Sequence, residues 1–230
     1  MALIPAFAVG RSQEVLGLVA HHARQNPDLT YRVYLDGLTR AVTACYDRFA
    51  EELTGQYREL RRWIDYRLIP VADRVDRDTL VREEILGRPG VIIASSGMLK
   101  KGSLSYQYAL HLAGDPKNAI FYSGYLAEDS EAVDFLQGTV DDLVDAGIEV
   151  RCEQRRFYFS AHAPKEDLVQ FVFDVRPRAV ILIHGDADKR TQVPDNLFTL
   201  LKQMESDSFQ VFIGQENHPI KYREGKFYQE

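Results

Sequence analysis

The sequence predicts an α/β fold, a mostly parallel sheet with helices on both faces, followed by a smaller C-terminal segment. Three observations carry this. Short runs that are apolar throughout mark strands buried on both sides. Longer stretches of helical periodicity separate them, as parallel crossovers require. Most apolar runs then close on a small or polar residue and a glycine, which permits a tight turn into the following helix.

The first run, Leu3–Ala8, ends at Gly10-Arg11-Ser12 and leads into an amphipathic helix from Gln13 to Gln25. Tyr31–Leu35 is the next strand; it closes on Asp36-Gly37, with a helix over Leu38–Leu53 behind it. From Tyr57 to Arg88 the strand signal vanishes and Arg58, Arg61, Arg62, Arg67, Arg74, Arg77 and Arg82 crowd in. Leu60, Ile64 and Leu68 recur at helical spacing there, and Pro70 breaks the run. This reads as a solvated helical insertion whose arginines pair with Glu52, Glu59, Asp65, Asp76 and Glu83, in preference to a basic flap facing a polyanion. Val91–Ala94 ends at Ser95-Ser96-Gly97, and Ala119–Tyr122 ends at Ser123-Gly124 with Ala127–Phe135 helical behind it. An alternating strand through Phe157–Phe159 precedes Ser160-Ala161-His162-Ala163, and a helix starts near Pro164. Ala179–Ile183 closes on His184-Gly185-Asp186, with Leu197–Met204 helical behind it.

Composition narrows the function classes. The 230 residues are 45% hydrophobic and 27% charged, which excludes disorder and a coiled coil. A net charge of −6 excludes a general basic coat, so any polyanion must be held by a local patch. Cys45 and Cys152 make neither a disulfide framework nor a CxxC pair, which fits a reduced, cytoplasmic protein. No apolar run approaches the roughly 20 residues of a membrane span. The opening residues lack a basic n-region and contain Pro5, so they do not read as a signal peptide.

In open α/β sheets ligands bind beyond the carboxyl ends of the strands, where loops turn into helices. Of the six histidines, His21 and His22 sit at a helix end, His111 lies within a helix and His218 falls in a polar loop. His162 and His184 differ: each follows a strand, where an imidazole can face a cleft as acid, base or metal ligand.

Six segments taken together resemble the β-CASP branch of the metallo-β-lactamase superfamily, which contains zinc-dependent RNA-processing nucleases. They are Ile4–Leu16, Tyr34-Leu35-Asp36-Gly37, Ile93–Met98, Asn118–Tyr125, Phe159–Ala163 and Ile183–Asp186, in the family's order and almost end to end. The resemblance implies that His162 is the catalytic histidine, protonating or steadying the leaving oxygen of a cleaved phosphodiester. It implies that His184 ligates zinc in the complete family enzyme, where metals activate water and offset phosphoryl charge. Arg11, Ser95, Ser96 and Gly97 would line the RNA path, with backbone N–H groups and the Ser96 hydroxyl holding phosphates.

The family's H-x-H-x-D-H cluster is absent: no H-x-H and no Asp-His pair occurs in the 230 residues. One histidine cannot hold a catalytic zinc, so this chain alone is expected to bind none catalytically and to be inactive. Pro164 stands where the family often has Asp after His-Ala, which leaves His162 without that hydrogen-bond partner. Residues 1–157 would form the β-CASP α/β domain, and 158–230 the C-terminal part of a metallo-β-lactamase-like αββα domain, the RNA-specificity segment. The second part would leave Phe171, Val172, Val180 and Ile181 in need of cover. The expected partners are RNA and either a separate chain supplying the N-terminal lactamase-like half or a second copy, with no membrane. The alternative is a non-catalytic RNA-binding or partner-docking module.

Overall fold

The computed structural model describes residues 1–29, 31–53, 55–68, 85–159, 163–183, 197–206 and 209–229. The chain divides into two compact units, Met1–Ser160 and Ala161–Glu230.

The first unit is built on a six-stranded sheet. Its strands are β1 (Ala2–Pro5), β2 (Arg32–Asp36), β3 (Tyr66–Leu68), β4 (Gly90–Ala94), β5 (Ala119–Tyr122) and β6 (Glu153–Arg156). They lie in the order β3-β2-β4-β1-β5-β6, and every pairing is parallel. The α/β class and the parallel sheet therefore stand as the sequence predicts.

Helices α1 (Arg11–Gln25), α2 (Leu38–Arg48) and α3 (Gly55–Trp63) serve the connections toward β3. Helices α4 (Leu104–Leu112), α5 (Glu131–Gln137) and α6 (Asp141–Asp145) serve those toward β6. Because parallel crossovers are right-handed, the two directions of travel put the two sets on opposite faces. The cores bear this out. Ile93, Val33 and Leu35 pack with Val15, Leu16, Ala20, Leu60 and Ile64. The alternate residues Ile92, Ala94 and Tyr34 pack with Leu3, Ile120, Tyr106, Ala109, Leu112 and Phe135. Successive side chains of a strand point to opposite faces, so unbroken apolar strands feed both layers.

Several boundaries differ from those read in the sequence. The helix expected over Leu38–Leu53 ends at Arg48 and continues as a 3-10 turn at Ala50–Glu52. The helix expected from Ala127 starts at Glu131, after the Ala127 carbonyl has accepted the Ser130 hydroxyl. Within the arginine-rich stretch, Tyr66–Leu68 is a strand, not helix, pairing with Val33–Leu35. Its apolar signal is only three residues long and Arg67 interrupts it, so periodicity favoured the helix. Residues 69–84, with Pro70, Arg74, Arg77 and Arg82, lie outside the described residues. Of the rest of that reading, Gly55–Trp63 is helical with Leu60 and Ile64 buried, Arg67 pairs with Asp65 (3.9 Å) and Arg58 pairs with Glu51 (3.3 Å). The strand before Ser160 occupies Glu153–Arg156, and Phe157–Phe159 extend beyond it.

The second unit contains α7 (Lys165–Val175), β7 (Ala179–Leu182), α8 (Leu197–Gln203) and β8 (Gln210–Ile213). Strands β7 and β8 pair in parallel. An antiparallel hairpin of β9 (Ile220–Arg223) and β10 (Lys226–Gln229) follows. Among the described residues no helix is long and apolar enough to cross a membrane.

Candidate functional site at the carboxyl edge of the sheet

Strands β1 and β4 are neighbours, but the chain leaves them in opposite directions, from β1 toward β2 and from β4 toward β5. That divergence is a topological switch point, the place in an open α/β sheet where a ligand crevice forms. The loops Ala6–Gly10 and Ser95–Gly102 flank it.

Gly97 lies where the two loops meet. A Cβ there would stand 3.0 Å from the backbone N of Phe7 and 3.2 Å from the carbonyl carbon of Ala6, tighter than side chains usually come, so a larger residue would push the two loops apart. Beside it, Ser96 Oγ accepts the N–H groups of Met98 (3.2 Å) and Lys100 (3.5 Å), while its carbonyl accepts the Ser105 hydroxyl (2.7 Å). The Ser95–Ser96 peptide bond is cis. Ser95 Oγ accepts the N–H of Leu38 (3.1 Å), which stitches the β4 loop to the turn after β2. Both hydroxyls act as acceptors here, which leaves each a proton to donate outward.

That turn is fixed from beneath by Asp36, which is 2% exposed. Its carboxylate accepts Gly37 N–H (2.7 Å) through Oδ1 and the Tyr108 hydroxyl (2.7 Å) through Oδ2. Gly37 adopts φ 69°, and a Cβ on it would meet Ser95 Oγ at 2.9 Å. The sequence marks Asp36-Gly37 as a turn, but nothing in it points to Tyr108, which lies 72 residues away.

Arg11 opens α1 on the other side of β1. Its guanidinium donates to Glu14 Oε2 (2.6 Å) and to the Phe159 carbonyl (2.5 Å) and lies 5.7 Å from the centre of the Phe159 ring. The side chain is only 11% exposed. The first N–H groups of α1 are held by its own loop: Ser12 N donates to Phe7 O, and Gln13 N and Glu14 N donate to Gly10 O. Buried Ser12 and Gln13 complete the arrangement, Ser12 with Thr39 (3.0 Å) and Gln13 Nε2 with Thr43 (2.9 Å).

The structure thus places Ser95, Ser96 and Gly97 on the β2–β4–β1 side of the edge and Arg11 toward β5 and β6. His162 and His184 lie outside the described residues. Sequence reasoning missed the aromatic rim. Phe7, Tyr125, Phe157, Tyr158 and Phe159 all stand exposed beyond strand ends. Phe157 and Phe159 stack 6.0 Å apart, and Arg156 lies 4.7 Å over the ring of Tyr158, which is 79% exposed. The run Phe157-Tyr158-Phe159 was visible as strand but carries no signal that separates exposure from burial.

Below the β4 loop, Asp142 accepts the Tyr106 hydroxyl (2.6 Å) and Lys101 Nζ (3.0 Å). Those two bonds, first from Tyr106 and then from Lys101, hold its carboxyl below the usual range. The bond to Asp142 in turn raises the Lys101 ammonium. Burial, then the bond to Asp142, raises Tyr106.

Among the described residues no three His, Cys, Asp or Glu side chains converge on a point that could hold a metal ion. A catalytic zinc takes about three protein ligands, so the described part of this chain does not fit one.

Residues 12–134 match the Beta-Casp domain, and residues 147–193 match the "Zn-dependent metallo-hydrolase RNA specificity domain". The chain is 32% identical over 228 residues to the transcription termination factor FttA of Pyrococcus horikoshii, a match covering 86% of this chain and 34% of that protein. It is 32% identical over 206 residues to RNase aCSPSF2 of Saccharolobus solfataricus, covering 87% and 37%. An RNase J-like protein of Methanocaldococcus jannaschii is 27% identical over 212 residues, covering 90% and 47%. The chain therefore spans between a third and a half of the length of these curated relatives.

Proposed function

The chain belongs to the β-CASP branch of the metallo-β-lactamase superfamily, and on that premise we propose that it is the RNA-handling part of a zinc-dependent RNA-processing ribonuclease, inactive by itself. One observation carries the reading. A β-CASP match and a metallo-hydrolase RNA-specificity match run in series along one chain, and His162 and His184 fall inside the second. In the whole enzyme the reaction is metal-assisted hydrolysis of an RNA phosphodiester. Zinc, when bound, lowers the pKa of an attacking water. The residues of this chain do the rest: Ser95 and Ser96 donate hydroxyl protons to phosphate oxygens, Gly97 keeps the two loops close, Arg11 braces the far rim, and His162 delivers the proton to the leaving oxygen. His184 is one zinc ligand among several. These 230 residues carry no H-x-H from which the others would come, so those ligands lie outside them, in a longer form of this chain or in a separate one. A reducing cytoplasmic setting suits two unpaired cysteines, Cys45 and Cys152.

The purified chain is expected to cut no RNA with zinc added and to retain far less than one zinc per chain by metal analysis. Mixing it with a polypeptide that carries the H-x-H-x-D-H cluster should bring cutting, which His162→Ala and His184→Ala then abolish. Metal-dependent cutting by the chain alone, lost in those same two variants, overturns the reading. The second reading, a non-catalytic module that docks RNA or a partner, is favoured by one feature: α7 exposes Leu168, Phe171 and Val175 along a single stripe. RNA binding with no such cluster-bearing partner recovered would decide for it.

A further inference from the structure

We propose that the C-terminal hairpin β9–β10 is a separate contact for single-stranded RNA. The inference rests on the reading of the chain as an RNA-handling part, but it uses residues that neither family match includes. The register pairs Arg223 with Lys226 and Lys221 with Tyr228. Residues opposite one another in a ladder share a face, as do residues two apart on one strand. Lys221, Arg223, Lys226 and Tyr228 therefore stand on the same side of the hairpin.

The other side is committed to its own unit. Phe227 N donates to Gln210 Oε1 (3.0 Å), and Gln229 Nε2 donates to the Ile213 carbonyl (2.8 Å). The Tyr222 ring lies 4.8 Å from that of Phe227, and its hydroxyl accepts from Arg178 (3.1 Å). These bonds tie the hairpin to its unit through the face of Ile220, Tyr222, Phe227 and Gln229, of which Ile220 and Phe227 are half-buried. Arg223, Lys226 and Tyr228 are exposed.

Arg223 and Lys226 stand directly opposite in the ladder, where like charges repel, with the carboxylate of Glu224 beside them in the turn. This happens in a chain whose net charge is −6, so the concentration of positive charge is local. Same-face positions along a strand are about 6.8 Å apart, a spacing that suits successive charges of an extended polyanion. The fourth position supplies a ring face. Base stacking on an exposed tyrosine beside basic groups is how single strands are held without sequence preference, and an acidic peptide offers no base to stack.

Binding of a labelled oligouridylate to the full chain, followed by fluorescence anisotropy across a salt series, tests this. Arg223→Gln with Lys226→Gln is expected to weaken binding about tenfold and to flatten the log–log salt slope by about 1.4, two phosphate contacts at roughly 0.7 each. Tyr228→Ala should weaken it about fivefold or more with the slope kept, and Tyr228→Phe should restore it. Unchanged melting curves establish that the variants are folded. Wild-type affinity and slope in the double-glutamine variant overturn the proposal, as does failure of the wild-type chain to bind the probe at low salt. Displacement of the probe by polyglutamate as readily as by unlabelled RNA, with no effect of Tyr228→Ala, makes the face a contact for acidic protein and also overturns it. Reconstituted cutting with RNA binding untouched by the hairpin variants removes this proposal alone. Loss of binding in those variants without any reconstituted cutting removes the nuclease reading alone.

Discussion

A buried carboxylate holds the candidate site in shape. Asp36 joins the end of β2 to α4 through Tyr108, and the Gly37 turn that it fixes is the one stitched to Ser95. Hydrogen bonds to charged groups contribute about 1.5–3 kcal/mol, so Tyr108→Phe is expected to lower the stability measured by urea unfolding by that amount. Gly37→Ala faces two penalties at once. Its φ of 69° with ψ −148° is a region that side chains avoid, at a cost of about 1–3 kcal/mol, and its Cβ would push on Ser95 Oγ. Cys152 and Cys45 should separate cleanly in a thiol-labelling experiment. Burial pushes the Cys152 thiol up to about 11, so it carries almost no thiolate at neutral pH, whereas Cys45 is exposed. One thiol is expected to react in the native chain and the second only after denaturant is added.

Between elements, the Lys101–Asp142–Tyr106 cluster ties the β4 loop and α4 to α6. The Asp142 carboxyl titrates below its unfolded value of about 3.9. Its contribution is therefore present above that value and is lost as pH falls through the lower, folded value. Lys101 is raised, so its share is present below the ordinary lysine range and is lost as pH climbs through the elevated value. Asp142→Asn should therefore flatten the fall in melting temperature on both the acid and the alkaline limb. Elements of this kind were unevenly legible in sequence. Strands β1, β2, β4 and β5 announced themselves because both their faces are buried, which leaves an apolar run with a glycine after it. Strand β3 did not, since three residues around Arg67 fit a helix face equally well. The bond between Tyr108 and Asp36 was invisible because long-range pairing leaves no local periodicity. Ser95, Ser96, Gly97 and Arg11 were legible as positions at strand ends, but not which neighbours each would hold.

For the molecule as a whole, stability is unequally shared. Both apolar clusters lie entirely within Met1–Ser160. Among the described residues of Ala161–Glu230 only Leu201 and Val211 are buried hydrophobics, while Phe171 is 63% exposed and Ile181 46%. Phe171 and Ile181 are thus uncovered, as the sequence anticipated, and Val172 and Val180 are half-buried. A unit of that size with so small a core is marginal at best. Residues 1–160 expressed alone are expected to melt in one cooperative transition, and 161–230 alone to show none by circular dichroism. The order β3-β2-β4-β1-β5-β6 also bears on how the sheet is assembled during synthesis. Strand β1 is an interior strand whose two neighbours are residues 90–94 and 119–122. The first of those neighbours follows about ninety residues later in the chain, so the nascent chain carries β1 as an unpaired apolar strand until then, when chaperone protection matters most.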